Sequence, residues 1–262
     1  MREKEVILRV MQKGWFIAFA AAVVLSASCG GIHRDAAEPS PFVQPVMPEG
    51  FTGTWVSYYP DGSREAVREM KNGEIAGSVV EYYRNGHVRE KYTSIDGKLQ
   101  GQYLRYYPSG DSESSATYKD GVLDGILTQY YESGNLVRST QPYSAGKRNG
   151  LFTLFYRDGM IRAQFAYEED HYSGEMRSYY PSGQLLSYMR SYPDGANGPM
   201  RFFYSNGQLE EEYFMVKDLL DGKYMSYYPD GSIRRKGQYT HGEMTGKWYY
   251  YSKDGTESIT EY

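Results

Sequence analysis

The residues best placed to do chemistry in this sequence are tyrosines. Tyr59, Tyr83, Tyr107, Tyr131, Tyr156, Tyr180, Tyr204 and Tyr228 recur every 24 or 25 residues. A row of phenol rings can stack on sugars or grip a partner strand, and each hydroxyl can donate and accept a hydrogen bond. Cross-strand packing explains the same row without any ligand, so the row is both a candidate binding ladder and a candidate packing device. Other chemistry is sparse. The four histidines, His33, His87, His171 and His241, include no pair at His-x-x-x-His spacing, so no metal centre is expected. The acids Asp61, Asp158, Asp230 and Asp254 recur with the same phase, and turn formation explains them. The dense Gly-Gly-x-Gly-x-Asp pattern of calcium-binding repeats is absent. So are a Gly-x-Ser-x-Gly nucleophile motif and a phosphate loop. The chain reads as a non-enzyme with no cofactor.

The elements that carry the tyrosines come from an internal repeat. With a phase glycine at position 0, copies begin at Gly53, Gly77, Gly101, Gly125, Gly150, Gly174, Gly198, Gly222 and Gly246. A second glycine follows nine residues later, from Gly62 to Gly255. Each unit reads as a β-hairpin. About six aromatic and β-branched residues suit a strand. Pro60-Asp61-Gly62, Pro108-Ser109-Gly110 and Pro229-Asp230-Gly231 then suit a type I turn with a glycine bulge. A loosely alternating second strand ends in Asn72-Gly73, Asp96-Gly97, Asp120-Gly121 or His241-Gly242. The expected fold is all-β: an elongated, single-layer antiparallel β-meander of about nine 24-residue hairpin repeats over 51–262. Roughly 18 strands at about 4.8 Å spacing give a ribbon on the order of 85 Å long. The one 25-residue spacing, between Gly134 and Gly150, predicts a bulge and kink around Gln141-Pro142-Tyr143.

Composition supports a sheet that is wet on one side. Of 262 residues, 29 are Tyr against 10 Phe, and tyrosine joins apolar area to a polar tip. Comparing units column by column separates roles. Position 2 runs Trp55, Val79, Tyr103, Leu127, Phe152, Met176, Met200, Tyr224, Trp248, keeping only size and hydrophobicity, as packing requires. Position 5 accepts Phe155 and Phe203 among tyrosines, so its hydroxyl is dispensable. Position 6 is the tyrosine ladder, ending in Ser252, and it never drops its hydroxyl: each makes a fixed hydrogen bond or faces water. Trp55 and Trp248, in the first and last units, are expected to cap the stack.

The first residues have a different character. Lys13 precedes the apolar run Trp15–Leu25, and small residues lead to Cys29, the single cysteine. Residues 1–28 are expected to be a signal peptide, with Met1 or Met11 as the start. One cysteine excludes an intrachain disulfide. Leu25-Ser26-Ala27-Ser28-Cys29 resembles a bacterial lipoprotein cleavage box, with Ser26 where leucine is commoner. That resemblance implies lipidation at Cys29 and an exported chain anchored in the cell envelope, the outer membrane being the expected site. Pro39, Pro41, Pro45 and Pro48 make 29–50 a semi-rigid tether. Removing Arg2, Lys4, Arg9, Lys13, Glu3 and Glu5 leaves 25 basic and 31 acidic residues, a net charge of −6. A mildly acidic array lacks the clustered cations that nucleic acid needs, so no nucleic-acid partner is expected.

The pattern G-x-W/Y-x-x-Y-Y-x-D/N-G-x-L/I, then Y-x-x-G-x-L/M-x-G, is carried by Gly246-Lys247-Trp248-Tyr249-Tyr250 and Leu99-Gln100-Gly101. It resembles the MORN repeat, and within it the bacterial antitoxin-like variant. The resemblance covers 51–262. It implies an elongated sheet of antiparallel hairpins that serves as a scaffold for protein contacts and, in some members, membrane association. The antitoxin label fits an exported chain poorly. Gly246-Lys247-Trp248-Tyr249-Tyr250-Tyr251 is also similar to bacterial cell-wall-binding repeats, which hold choline or glucan between aromatics, although their period is near 20 and each unit carries a second Gly-Trp pair. Three functions follow as expectations: a scaffold for a protein or envelope partner, cell-wall glycan binding through the ladder, and arrays joined edge to edge.

Overall fold

In the computed structural model, which describes residues 42–192 and 195–262, every regular element among the described residues is a β-strand. The expected signal peptide, Cys29 and the tether as far as residue 41 lie outside the described residues. Twenty-one strand segments join in one antiparallel sheet. Three of them, Val122–Leu123, Lys147–Arg148 and Gly195–Ala196, are the first residues of strands that break one residue before a phase glycine. Counted with their continuations, the strands number eighteen. Each pairs with its sequence neighbours, from Gly53–Tyr58 against Arg64–Lys71 to Glu243–Tyr251 against Glu257–Glu261. This is the β-meander that the repeat predicts.

The turns follow their residues. The Tyr59 N–H donates to the Ser63 carbonyl at 2.8 Å, and the Gly62 N–H donates to the Tyr59 carbonyl at 2.9 Å, with Gly62 at φ +83°. That is a type I turn closed by a glycine bulge, and one extra residue on the second strand marks it in the pairing between Ser57 and Tyr58. Asx bonds brace it: Asp61 Oδ1 accepts from the Ser63 N–H, as Asp158, Asp230 and Asp254 accept two residues on. The second turns have both central residues at positive φ, as Asn72 (52°) and Gly73 (84°) show. This type I′ geometry matches the twist of the flanking strands and selects Asn-Gly and Asp-Gly.

The extra residue of the fourth unit does not kink the strand at Gln141-Pro142-Tyr143. Ile126, Leu127 and Thr128 pair in regular register with Pro142, Gln141 and Thr140. The insertion sits in the turn instead, where Tyr131 bonds the Leu136 carbonyl five residues on, and Ser133 and Asn135 take positive φ. A turn absorbs a residue by changing type, whereas an insertion in a strand would send every following side chain to the wrong face.

A single-layer sheet has no second layer to cover it, yet Trp248, Met200, Val79, Phe202 and Phe165 are 0–3% exposed. The phase glycine explains how. Beside it three residues face one: Gly101, Gln102 and Tyr103 lie opposite Tyr92, between the pairs Thr93↔Gln100 and Lys91↔Leu104. The same three-against-one bulge recurs at Gly77, Gly174, Gly222 and Gly246. A bulge of this kind bends its strand, and Gly101, at φ +74°, accepts the bend without strain. Side chains inside the bend converge. Phe152 stacks on Phe165 at 4.5 Å, Tyr167 on Tyr172 at 4.6 Å, and Phe165 meets Tyr172 edge-on at 5.9 Å. The core is this aromatic crease, running from unit to unit.

The indole of Trp248 shows how tight the crease is. It lies against Tyr224, Tyr239, Tyr250 and Tyr262. A Cβ at Gly237 would stand 2.2 Å from its ring, so the neighbouring strand must carry glycine where sister units carry Phe165, Met189 or Tyr213. Trp55, half-buried, packs edge-on against Phe51 at 5.6 Å.

Candidate functional site: the tyrosine ladder and the outer face

Position 6 is the last residue before the first turn, so the sheet delivers one tyrosine per unit to the same rim. Each hydroxyl donates to the backbone carbonyl of position 5 in the following unit. Tyr59 reaches the Tyr82 carbonyl at 2.7 Å, Tyr83 that of Tyr106 at 2.8 Å, Tyr107 that of Tyr130 at 3.2 Å and Tyr131 that of Phe155 at 2.7 Å. Tyr156, Tyr180, Tyr204 and Tyr228 bond the carbonyls of Tyr179, Phe203, Tyr227 and Tyr251 at 2.7–2.9 Å. All eight ladder hydroxyls are committed. Ser252, which ends the column, turns its hydroxyl onto Asp254 and the Thr256 carbonyl of its own turn. A fixed hydrogen bond is therefore the reason the hydroxyl is kept. The acceptor is a main-chain group, which no comparison of side-chain columns could reveal.

The rings remain half-buried. Cations cover several of them: Arg84 stands over Tyr59 at 5.4 Å, Arg157 over Tyr131 at 4.7 Å, and Lys253 over Tyr228 at 5.8 Å. Burial raises the hydroxyl pKa of Tyr83, Tyr107, Tyr156, Tyr180 and Tyr204 above the ordinary phenol value. These five hydroxyls are thus neutral donors at physiological pH. Among the described residues the histidines stay dispersed: His87 Nδ1 lies 2.8 Å from the Pro108 carbonyl, and His241 fills a type I′ turn. Among the described residues no group of three His, Cys, Asp or Glu side chains is placed to hold a metal ion.

The inner face carries charge near both ends of the array, and Arg235 and Glu211 meet at the Tyr224 hydroxyl in the later units. Arg68 and Arg89 both pair with Glu81, and the Tyr103 hydroxyl donates to Glu90. Burial works to raise the Glu81 carboxyl, but the Arg89 hydrogen bond prevails and holds it below the usual range.

The opposite face carries the position 5 ring of every unit, half-buried. It also carries positions 1 and 16, which pair across each bend. Most of those pairs are polar, such as Ser78↔Thr93, Gln102↔Thr117 and Glu175↔Arg190. In mid-array they turn apolar: Ile126↔Pro142 and Leu151↔Ala166, then Pro199↔Phe214 two units on. Ile126 is 56% exposed, Leu151 52% and Phe214 41%. This apolar run was not singled out from sequence, because face assignment at these positions depends on the bulge that separates them from position 2.

No curated protein matches this chain. Among solved structures, a Tc holotoxin pore of Photorhabdus luminescens is 12% identical over 78% of this chain and 12% of its own, at TM-score 0.22. The crystal structure of TcdB2-TccC3 is 12% identical over 80% of this chain and 15% of its own, at TM-score 0.16. The chain spans less than a sixth of the length of either. Residues 99–120, 123–143, 172–192, 196–217 and 220–241 match the family described as MORN repeat variant. Five of the hairpin units are thus similar to that repeat, and the remaining units continue its turns, its bends and its tyrosine ladder without a break.

Proposed function

We propose that this protein is a non-enzymatic scaffold, lipid-anchored through Cys29 to the bacterial cell envelope, which presents its outer sheet face to a protein or envelope partner. The observation that carries this reading is the exposed apolar pairs Ile126↔Pro142 and Leu151↔Ala166 in adjacent units, on a face whose same positions are polar in most other units. Exposed apolar surface rimmed by polar residues is typical of interaction sites. The inner face has its rings packed in the crease and its ladder hydroxyls bonded to the next unit, so the outer face has more left to offer. Five repeats similar to the MORN repeat variant are consistent with a scaffold for protein or membrane contacts. The test is in-envelope crosslinking of the anchored protein against a double variant, Ile126→Glu with Leu151→Glu. A defined crosslinked product that disappears in the variant, with the far-ultraviolet spectrum unchanged, supports the reading. A product that persists overturns the assignment of this face.

Glycan binding through the ladder is the alternative, and the half-open rings of Tyr107, Tyr131 and Tyr156 favour it. Saturable quenching of tyrosine fluorescence by wall fragments, retained in Tyr107→Phe and lost in Tyr107→Ala, would move the site to the ladder.

A further inference from the structure

Every position 5 carbonyl from Tyr82 to Tyr251 receives a hydroxyl from the unit before it. Tyr58, in the first unit, has no such unit before it, and its carbonyl accepts a hydrogen bond from Gln44 Nε2 instead. The residues around Gln44 complete the substitution. The Phe42 ring packs on the Tyr58 ring at 5.3 Å and lies against the turn, 3.1 Å from where a Gly62 Cβ would be. Nine residues after Phe42, Phe51 packs on Trp55, its carbonyl accepts from the Gly73 N–H at 2.9 Å, and Thr52 Oγ1 accepts from the Asn72 N–H at 3.1 Å. The segment is pinned at both ends of the first strand. Val43 and Val46 are 86% and 89% exposed, so the segment is held at its pins and not by burial along its whole length. Pro45 and Pro48 lie in the same stretch and have no N–H to offer a further strand.

We infer that residues 42–52 form an edge strap: they occupy the first edge of the sheet in place of a repeat and keep Gly53–Tyr58 from pairing with another chain. An open strand edge is a template for association, and proline-bearing cover is a recognised protection. The strap copies the ladder bond with a shorter amide donor, so it fills the acceptor without extending the sheet.

The test uses the full chain, parent and variants in the same detergent-containing buffer. Phe42→Ala with Gln44→Ala removes both pins at the turn end. Gln44→Glu is the gentler variant, which removes only the donor and sets a carboxylate against the carbonyl. Amide exchange in the peptides around Trp248 reports whether the distant crease stays folded. The expected result is a light-scattering mass constant with concentration for the parent and at least doubled at high concentration for the double variant. Faster amide exchange in the 53–63 peptide should accompany it. A double variant that exchanges faster but keeps the parent mass at every concentration overturns the edge-guarding role and leaves a packing contact. Unchanged exchange and unchanged mass overturn the strap itself.

Discussion

The hydroxyl of Tyr131 reaches the carbonyl of Phe155, which sits in a column where a hydroxyl is optional. That contrast gives the sharpest residue-scale expectation. Tyr131→Phe strands a half-buried acceptor and should cost about 1 kcal/mol in urea denaturation. Tyr106→Phe, at position 5, should stay within about 0.5 kcal/mol of the parent, since its sister units already carry phenylalanine. The ladder also sets a response to alkali. Burial raises Tyr83, Tyr107, Tyr156, Tyr180 and Tyr204 in the folded state. Their stabilisation is whole below the unfolded pKa, about 10, and is lost as pH rises through the folded values. A spectrophotometric titration should therefore show a late phenolate fraction that ionises together with unfolding. The opposite sign holds at the turns. Hydrogen bonds from the Ser252 hydroxyl and the Thr256 N–H hold Asp254 at a pKa of about 2. Its contribution persists above the unfolded value, about 3.9, and fades as pH falls toward about 2. Loosening of the Ser252–Thr256 turn over that interval, read from amide shifts, is the check.

At the scale of elements, the hairpins, the first turn type and the place of the second turn were legible because each depends on local chemistry: Pro-Asp-Gly for the first turn, Asn-Gly or Asp-Gly for the second. The bend at the phase glycine was not. Nine glycines in phase announced a special position, but a three-against-one bulge is a property of two strands paired, and it alone decides which side chains converge. The misplaced kink has the same origin. Pro142 looked like the natural site for the extra residue, yet the turn accommodates it at less cost to register. Deleting Asn135 should therefore be tolerated at about 1 kcal/mol, the worth of its 2.7 Å bond from the Ser112 N–H. Deleting Thr140 from the paired strand should abolish the cooperative transition. Thermal melts of the two deletions separate the cases. Gly237→Val drives a branched side chain into the Trp248 ring and should destabilise by about 1–3 kcal/mol, with a shift in tryptophan emission.

For the molecule as a whole, each unit touches only its neighbours, so stability is a sum of units and interfaces. Tyr59→Phe and Tyr228→Phe, far apart in the array, should add within about 0.5 kcal/mol. Tyr131→Phe removes a bond into the fifth unit, which carries Tyr156, so Tyr131→Phe and Tyr156→Phe should depart from additivity, which a double-mutant cycle in urea measures. The function was the least legible layer. Columns of like residues show what a fold needs, and the outer apolar run is visible only as a break in one column once the faces are known. What the ladder shows instead is direction. Its hydroxyl always precedes its carbonyl acceptor, by 23 or 24 residues, and Gln44 precedes Tyr58 by 14. A ribosome makes the chain in that order. Each carbonyl therefore leaves the exit tunnel after its donor, and each finished hairpin offers the next one a waiting hand. Assembly can therefore run from the first unit to the last, one clasp per unit, in the order in which the chain is delivered.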